Sequence, residues 1–150
     1  MKVMFICTGN ICRSAMAEGM FRKMTENMNS IEVYSCGIYA ETGDYATYNA
    51  IEAAKEYNAD ISSHRATNIR ESKIKEMDLI LCATTSHKQS VLYLYPELKE
   101  KVFTMKEYAR IDKNGQDMDI QDPWGYDFSV YYNCASEIKK CLEKIIKMEK

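Results

Sequence analysis

The chain has 150 residues, of which 46% are hydrophobic and 28% charged, which suits one soluble domain with a full core. Its net charge of −2 at pH 7 argues against nucleic-acid or membrane-surface partners, and no apolar segment approaches the ~20 residues needed to span a bilayer. Six cysteines, without CxxC pairs, a Cys/His zinc set or a signal peptide, predict reduced thiols in the cytoplasm and no metal.

The N-terminal part predicts a buried strand, a short loop and a helix. Residues 2–6 are apolar on both faces, which is typical of a strand inside a parallel sheet. Apolar residues then recur at helical spacing from Ser14 onward, at Ala17, Met20, Phe21, Met24 and Met28. The segment between the two elements reads Cys7-Thr8-Gly9-Asn10-Ile11-Cys12-Arg13-Ser14.

This segment has the composition of a phosphate-binding loop with a nucleophile at its base. Inward-facing backbone N–H groups and the helix N-terminus bind an anion, and the same field stabilises a thiolate on Cys7. Arg13 offers a planar fork for two phosphate oxygens. Gly9 and Asn10 tolerate left-handed backbone, while Ser14 can cap the helix and donate to sulfur. The spacing alone would indicate a buried cysteine and a solvated arginine, but its context favours the phosphate loop.

The rest of the chain alternates strands and helices. Strands are predicted at 31–35, 79–83 and 102–105, and helices at 50–57, 70–76, 85–95 and through the C-terminal segment. A long, mostly polar connection covers residues 106–127. We therefore expect a single α/β domain over residues 1–150, with four parallel strands in the order 2-1-3-4 and helices on both faces. Cys7 would then lie at the carboxyl end of the first strand, where such sheets bind ligands.

A thiolate that attacks phosphorus needs an acid to protonate the departing group, because a phenolate with a pKa of ~10 leaves poorly. Asp122 is the best candidate, since Pro123 fixes the backbone after it and Trp124 offers an aromatic wall for a substrate ring. An ordinary Asp-Pro turn is the simpler interpretation of an isolated instance. Rival acids in the same connection are Asp112, Asp117, Asp119 and Asp127.

Over essentially its whole length the chain resembles the low-molecular-weight protein tyrosine phosphatases of bacterial type, near their protein arginine phosphatase branch. The resemblance rests on residues 7–14, 78–81, 86–88, 102–109 and 122–124. It implies that Cys7 is the nucleophile, that Arg13 binds the phosphoryl group and that Asp122 is the general acid and base. A phosphorylated protein would be the substrate of a monomeric enzyme that uses no cofactor.

The same resemblance assigns supporting roles to several other residues. It implies that Ser35 and His64 support the loop by hydrogen bonds, together with Asn10 and Ser14, and that Glu18 lies near His64. The substrate or its phosphate would contact Thr8, Gly9, Asn10, Ile11, Cys12, Ser14, Tyr39 and Trp124. Ala15 departs from the proline that is usual in the family, which would loosen the first helical turn slightly. His87 receives only a structural interpretation.

Ile11 is the residue that best separates the two substrates of this family. In the arginine-specific relatives the corresponding residue resembles a threonine. The side chain of an isoleucine offers a guanidinium no hydrogen-bond partner and suits an aromatic ring instead. Residues 103–108 look more like the arginine branch, so the two signals disagree. We favour phosphotyrosine, with phosphoarginine as the alternative.

The sequence is also compatible with other functions. Residues 8–10 resemble the phosphate-binding turn of flavodoxins, so a phosphate- or flavin-binding module is the non-enzyme alternative; Cys7 and Arg13 do not belong in such a turn. A phosphocarrier would use Cys7 without needing Asp122.

Cys82 is interpreted as core, since Gln89 leaves it no relay partner for arsenate reduction. Cys12 either packs or forms a reversible disulfide with Cys7.

Overall fold

Four parallel strands form the sheet, namely β1 Lys2–Cys7, β2 Glu32–Gly37, β3 Leu79–Cys82 and β4 Val102–Thr104. They lie in the order β2-β1-β3-β4, which confirms the predicted order. The structure is a computed structural model that describes residues 1–111 and 117–149.

The α-helices in these described ranges are α1 Arg13–Met24, α2 Tyr48–Lys55, α3 Thr85–Leu94, α4 Met105–Ala109 and α5 Phe128–Glu149. Short 3-10 helices cover Ile69–Glu71, Ile74–Glu76 and Pro96–Lys101. Nowhere in residues 1–111 or 117–149 does a helix have both the length and the apolar character that crossing a bilayer requires.

The central strand β1 is buried on both faces, as its apolar sequence predicts. Val3, Phe5 and Cys7 belong to a core cluster with α1, α2, α4 and α5. Met4 and Ile6 belong to a second cluster with α3 and the 3-10 helices. Helices therefore cover both faces of the sheet, and Cys7 lies where β1 ends.

The end of α1 differs from the predicted periodicity. The helix ends at Met24, so Met28 lies beyond it although it matched the helical spacing. Thr25 explains the end, because its hydroxyl donates a hydrogen bond of 2.7 Å to the Phe21 carbonyl and its backbone forms the cap. The helix predicted at 70–76 is likewise two short 3-10 turns, with the extended backbone of Ser72 between them.

The connection after β4 contains a helix, α4, that the strand-like sequence of residues 102–105 concealed. Thr104 and Glu107 form a capping box: the Thr104 hydroxyl accepts from Glu107 N at 2.9 Å, and the Glu107 carboxylate accepts from Thr104 N at 3.1 Å. This local T-x-x-E signal is the one that could have predicted the helix.

Candidate active site

A close approach of backbone segments holds the loop of residues 7–14 (the 7–14 loop) against the end of β2. Ile38 N donates to the Cys7 carbonyl at 3.0 Å, and Tyr39 N donates to the Thr8 carbonyl at 2.9 Å. A Cβ added at Gly37 would lie 2.6 Å from Thr8 O and 2.8 Å from Asn10 N. Only glycine at this position lets the loop lie so close to the sheet.

The 7–14 loop forms a cup with the sulfur of Cys7 at its base. Asn10 adopts the left-handed conformation, with φ 58°, which the sequence anticipated for this position. In the described part of the chain, residues 8–12 donate no backbone hydrogen bond to a protein acceptor. Cys7 Sγ lies 2.9 Å from Ser14 Oγ and 3.4 Å from Ser14 N. Such a cup can hold an oxyanion above the sulfur.

The side-chain amide of Asn10 sets the direction of the hydrogen bonds behind the cup. Its Nδ2 donates to Ser14 Oγ at 2.8 Å and to Ser35 Oγ at 2.9 Å, and its Oδ1 accepts from Thr67 N at 2.9 Å. Because Ser14 Oγ accepts from Asn10, its own hydrogen is free to be donated to Cys7. The arrangement therefore suits a thiolate at Cys7.

Glu18 completes the support of the loop. The Ser35 hydroxyl donates to Glu18 Oε1 at 2.7 Å, and His64 bridges Glu18 Oε1, at 3.4 Å, to the Asn10 carbonyl, at 2.7 Å. Burial acts to raise the pKa of Glu18. Hydrogen bonds from His64 and Ser35 and the charge of Arg22 outweigh it and hold the pKa below its usual value. The supporting residues that the resemblance implied thus meet in one network.

Arg13 and Asp122 lie together at the cup. Arg13 is almost fully buried, its Nη1 donates to the Ile120 carbonyl at 2.9 Å, and its Nη2 lies 3.7 Å from Asp122 Oδ2. The remaining N–H groups of the guanidinium are available to an anion. The Asp122 side chain is 55% exposed, so its carboxyl group is accessible to a substrate above the cup.

The rival aspartates have other surroundings. Asp119 accepts hydrogen bonds of 2.8 and 3.2 Å from the N–H and hydroxyl groups of the first residue of α3. Asp127 accepts from the first turn of α5, and Asp117 lies 3.8 Å from a lysine of α4. Asp112 lies outside the described residues. Among the described aspartates, Asp122 is therefore the one that contacts the arginine of the cup.

Cys12 is buried at the start of α1, between two hydroxyl groups. Its Sγ lies 3.4 Å from Tyr131 OH and 3.6 Å from Thr47 Oγ1. Burial is the largest influence on this thiol and raises its pKa. Cys82 is fully buried in the sheet, as predicted, and burial raises its pKa as well.

The predicted substrate-contacting side chains differ in how far they are exposed. Ile11 is partly buried and packs against the core, with Gly9 beside it. Tyr39 and Trp124 are 77% and 64% exposed, on the loops after β2 and after Asp122 respectively. In residues 1–111 and 117–149, no three His, Cys, Asp or Glu side chains are grouped so that they could hold a metal ion.

His87 contacts the 7–14 loop, a contact that sequence reasoning missed. Burial first, and the charge of Arg13 second, lower the pKa of His87 to about 4, so its ring is neutral at pH 7. Thr84 Oγ1 accepts from His87 N at 3.1 Å and can donate to His87 Nδ1, 2.9 Å away. The ring hydrogen then lies on Nε2 and is donated to Thr8 Oγ1 at 2.8 Å. No spacing signal could reveal this contact, because Thr8 and His87 are 79 positions apart.

The lowered pKa of His87 predicts an acid-sensitive fold. Because the folded-state pKa, about 4, lies below the unfolded value of about 6.5, the stabilisation is complete above pH 6.5 and is lost as the pH falls towards 4. The carboxylates of Asp119 and Asp122 oppose the shift, and Arg13 adds to it. Between pH 7 and pH 5 we expect this group to lower the free energy of unfolding by about 1–2 kcal/mol.

Urea unfolding of the wild type and of His87→Asn at both pH values measures this effect. The variant is less stable at pH 7, since it loses buried contacts, but it should lose less stability on acidification. Equal losses in the two proteins would show that His87 does not titrate as expected.

Comparison with known proteins agrees with this geometry. The four-stranded parallel sheet, with helices on both faces and the 7–14 loop at the end of β1, defines a single-domain α/β protein. The family described as low molecular weight phosphotyrosine protein phosphatase matches residues 2–150. The chain belongs to this family and is a protein phosphatase, which confirms the predicted resemblance and decides against a non-enzymatic binding module.

Its relatives include phosphatases of both substrate types. The protein-arginine-phosphatase of Bacillus subtilis (strain 168) is 33% identical over 100% of this chain and 97% of its own length. The crystal structure of a low molecular weight protein tyrosine phosphatase from T. tengcongensis has a TM-score of 0.89 and 41% identity, with 99% of each chain covered. A C7S mutant of the YwlE arginine phosphatase with a phosphorylated active site serine has a TM-score of 0.89 and 32% identity, covering 99% of this chain and 95% of its own.

Proposed function

We propose that this phosphatase hydrolyses phosphotyrosine in proteins through a cysteinyl-phosphate on Cys7. The observation that carries the proposal is the position of the Cys7 sulfur, 2.9 Å from the Ser14 hydroxyl, at the base of a cup in which residues 8–12 donate no backbone hydrogen bond to an acceptor within residues 1–111 and 117–149. Arg13 and Asp122 meet at that same cup, 3.7 Å apart, which supplies a phosphate-binding group and an acid at one site.

In the first step, the Cys7 thiolate attacks phosphorus in line with the departing tyrosine oxygen. The S–P bond forms as the P–O bond breaks, and protonated Asp122 gives its proton to the phenolate. The N–H groups of residues 8–13 and the Arg13 guanidinium hold the equatorial oxygens, so the charge of the transition state is stabilised by groups already in position.

In the second step, ionised Asp122 takes a proton from a water molecule that attacks the phosphocysteine. Inorganic phosphate is released, the Cys7 thiolate is regenerated, and Asp122 is protonated again. The phosphorylated active site serine in the C7S mutant of the YwlE relative supports a covalent phosphoryl group at this place in the loop. The acid and the arginine at the cup favour hydrolysis over a phosphocarrier role.

The side chain of Ile11 supports phosphotyrosine as the substrate. It is partly buried, packs against the core and presents only apolar atoms, so a guanidinium beside it would lose solvation worth about 1–3 kcal/mol without compensation. The exposed ring of Trp124, two residues after Asp122, offers a face for the phenyl ring. Phosphoarginine is the second candidate, because the Bacillus subtilis relative is a protein-arginine-phosphatase.

Matched peptides that differ only in phosphotyrosine or phosphoarginine decide between the two substrates. We expect kcat/KM for the phosphotyrosine peptide to be at least tenfold higher, the ratio that about 1.4 kcal/mol produces. Ile11→Thr should move the ratio towards phosphoarginine, since a hydroxyl restores a partner for the guanidinium. A clear wild-type preference for phosphoarginine would overturn the proposed substrate.

A further inference from the structure

A groove of about 500 Å³ lies between the segment after β2 and helix α3. The residues that matter for its chemistry are Ile38, Tyr39, Arg70, Ser86, Tyr93 and Leu94. It is separate from the cup, since neither the sulfur nor the acid belongs to its lining.

Both walls of the groove are fixed to the 7–14 loop. On one side, the backbone N–H groups of Ile38 and Tyr39 donate to the carbonyls of residues 7 and 8. On the other side, Ser86 precedes His87, whose Nε2 lies 2.8 Å from Thr8 Oγ1. The groove therefore begins beside the cup, and a chain that leaves the cup over Thr8 would enter it.

Three of the lining side chains are exposed to solvent. The rings of Tyr39 and Tyr93 are 77% and 87% exposed, and neither has an aromatic or cationic neighbour in the described part of the chain. Arg70 is exposed as well, and within residues 1–111 and 117–149 its guanidinium forms no ion pair. It is the one charged residue of the lining.

We propose that this groove binds the polypeptide segment that flanks the phosphorylated residue of the substrate, and that Arg70 selects an acidic side chain in that segment. The inference rests on the proposed function, because a phosphorylated residue in the cup brings its own chain to the rim. The two tyrosine rings offer flat surfaces that tolerate different side chains, whereas the guanidinium fork matches a carboxylate with two parallel hydrogen bonds. Affinity for the segment thus depends on sequence at the position opposite Arg70.

A peptide series tests the proposal. One phosphotyrosine peptide receives an aspartate moved one position at a time along its flanking sequence, and a second set carries lysine instead. For the wild type we expect aspartate at one position to raise kcat/KM about 2- to 10-fold over lysine, mainly through KM, since an exposed ion pair favours the aspartate modestly and like-charge repulsion disfavours the lysine by a similar amount.

Arg70→Glu should reverse the preference at that position, and Arg70→Gln should abolish it. Lys144→Glu, the same charge reversal on α5 across the sheet, should leave the preference unchanged. Turnover of p-nitrophenyl phosphate, which has no flanking chain, should be equal in all four proteins and so also reports correct folding.

The outcomes separate this inference from the proposed function. Two results would refute the groove as the binding site for the flanking segment: turnover of every peptide at the same rate, or an aspartate preference that survives Arg70→Glu. Neither result would affect the proposed phosphatase chemistry. Failure of the wild type to hydrolyse any phosphotyrosine peptide would instead refute the proposed substrate.

Discussion

Replacing Cys7 with serine is expected to abolish turnover while the cup still binds phosphate. A serine hydroxyl ionises far less readily than a thiol in the same field, so it attacks phosphorus slowly. A phosphoserine, like the one found in the C7S mutant of the YwlE relative, also loses its phosphoryl group to water slowly, because an alkoxide is a poorer leaving group than a thiolate. The rate of turnover should therefore fall by at least about 10³-fold. The N–H groups of the loop and the Arg13 guanidinium are unchanged by the substitution, so binding should survive. Phosphate release measures the first effect, and calorimetric titration with inorganic phosphate measures the second.

Cys141→Ala is the matched control for this experiment. Cys141 is buried on α5, and burial raises its pKa to about 11, so it is a thiol that packs in the core. Its removal should lower stability modestly and leave kcat close to the wild-type value. Normal hydrolysis of p-nitrophenyl phosphate by Cys7→Ser would refute Cys7 as the nucleophile.

The sheet and the base of the cup could be predicted because their signals are local. The apolar run of β1, the eight residues of the 7–14 loop and the periodicity of α1 follow one another directly in the chain. The left-handed backbone of Asn10 agrees with the tolerance that asparagine has for this conformation. Helix α4 was missed although its capping box is also local, because Val102 and Phe103 favour a strand just before it.

What lies around the cup depends on contacts between distant segments, which one sequence cannot reveal. The bond from His87 to Thr8 joins the start of α3 to the 7–14 loop, and Arg70 reaches the groove from a 3-10 turn. Arg70 belongs to no motif, and residues 86–88, although part of the family resemblance, do not indicate what His87 contacts. The resemblance named Asp122, but the proximity of Asp122 to Arg13 depends on the fold, since Ile120 N donates to the Ala83 carbonyl at 2.9 Å and brings the connection back over the sheet.

The Asp122→Asn variant should lower kcat for a phosphotyrosine peptide by about 10²–10⁴-fold, the usual contribution of general acid catalysis. Asparagine keeps the shape of the side chain but cannot give a proton to the departing phenolate or take one from water. KM should change little, because residues 7–14 and Arg13 still bind the phosphoryl group. With p-nitrophenyl phosphate, the rate of the first step should fall less, since nitrophenolate leaves without full protonation.

Asp119→Asn and Asp127→Asn distinguish a chemical role from a structural one. The amide oxygen of an asparagine can still accept the hydrogen bonds that Asp119 and Asp127 receive from α3 and α5, so each variant should retain most of its activity. The large loss in kcat should therefore be confined to Asp122→Asn. If instead one of the other two variants shows the large loss in kcat, that aspartate is the acid, and the ion pair between Arg13 and Asp122 only positions the loop.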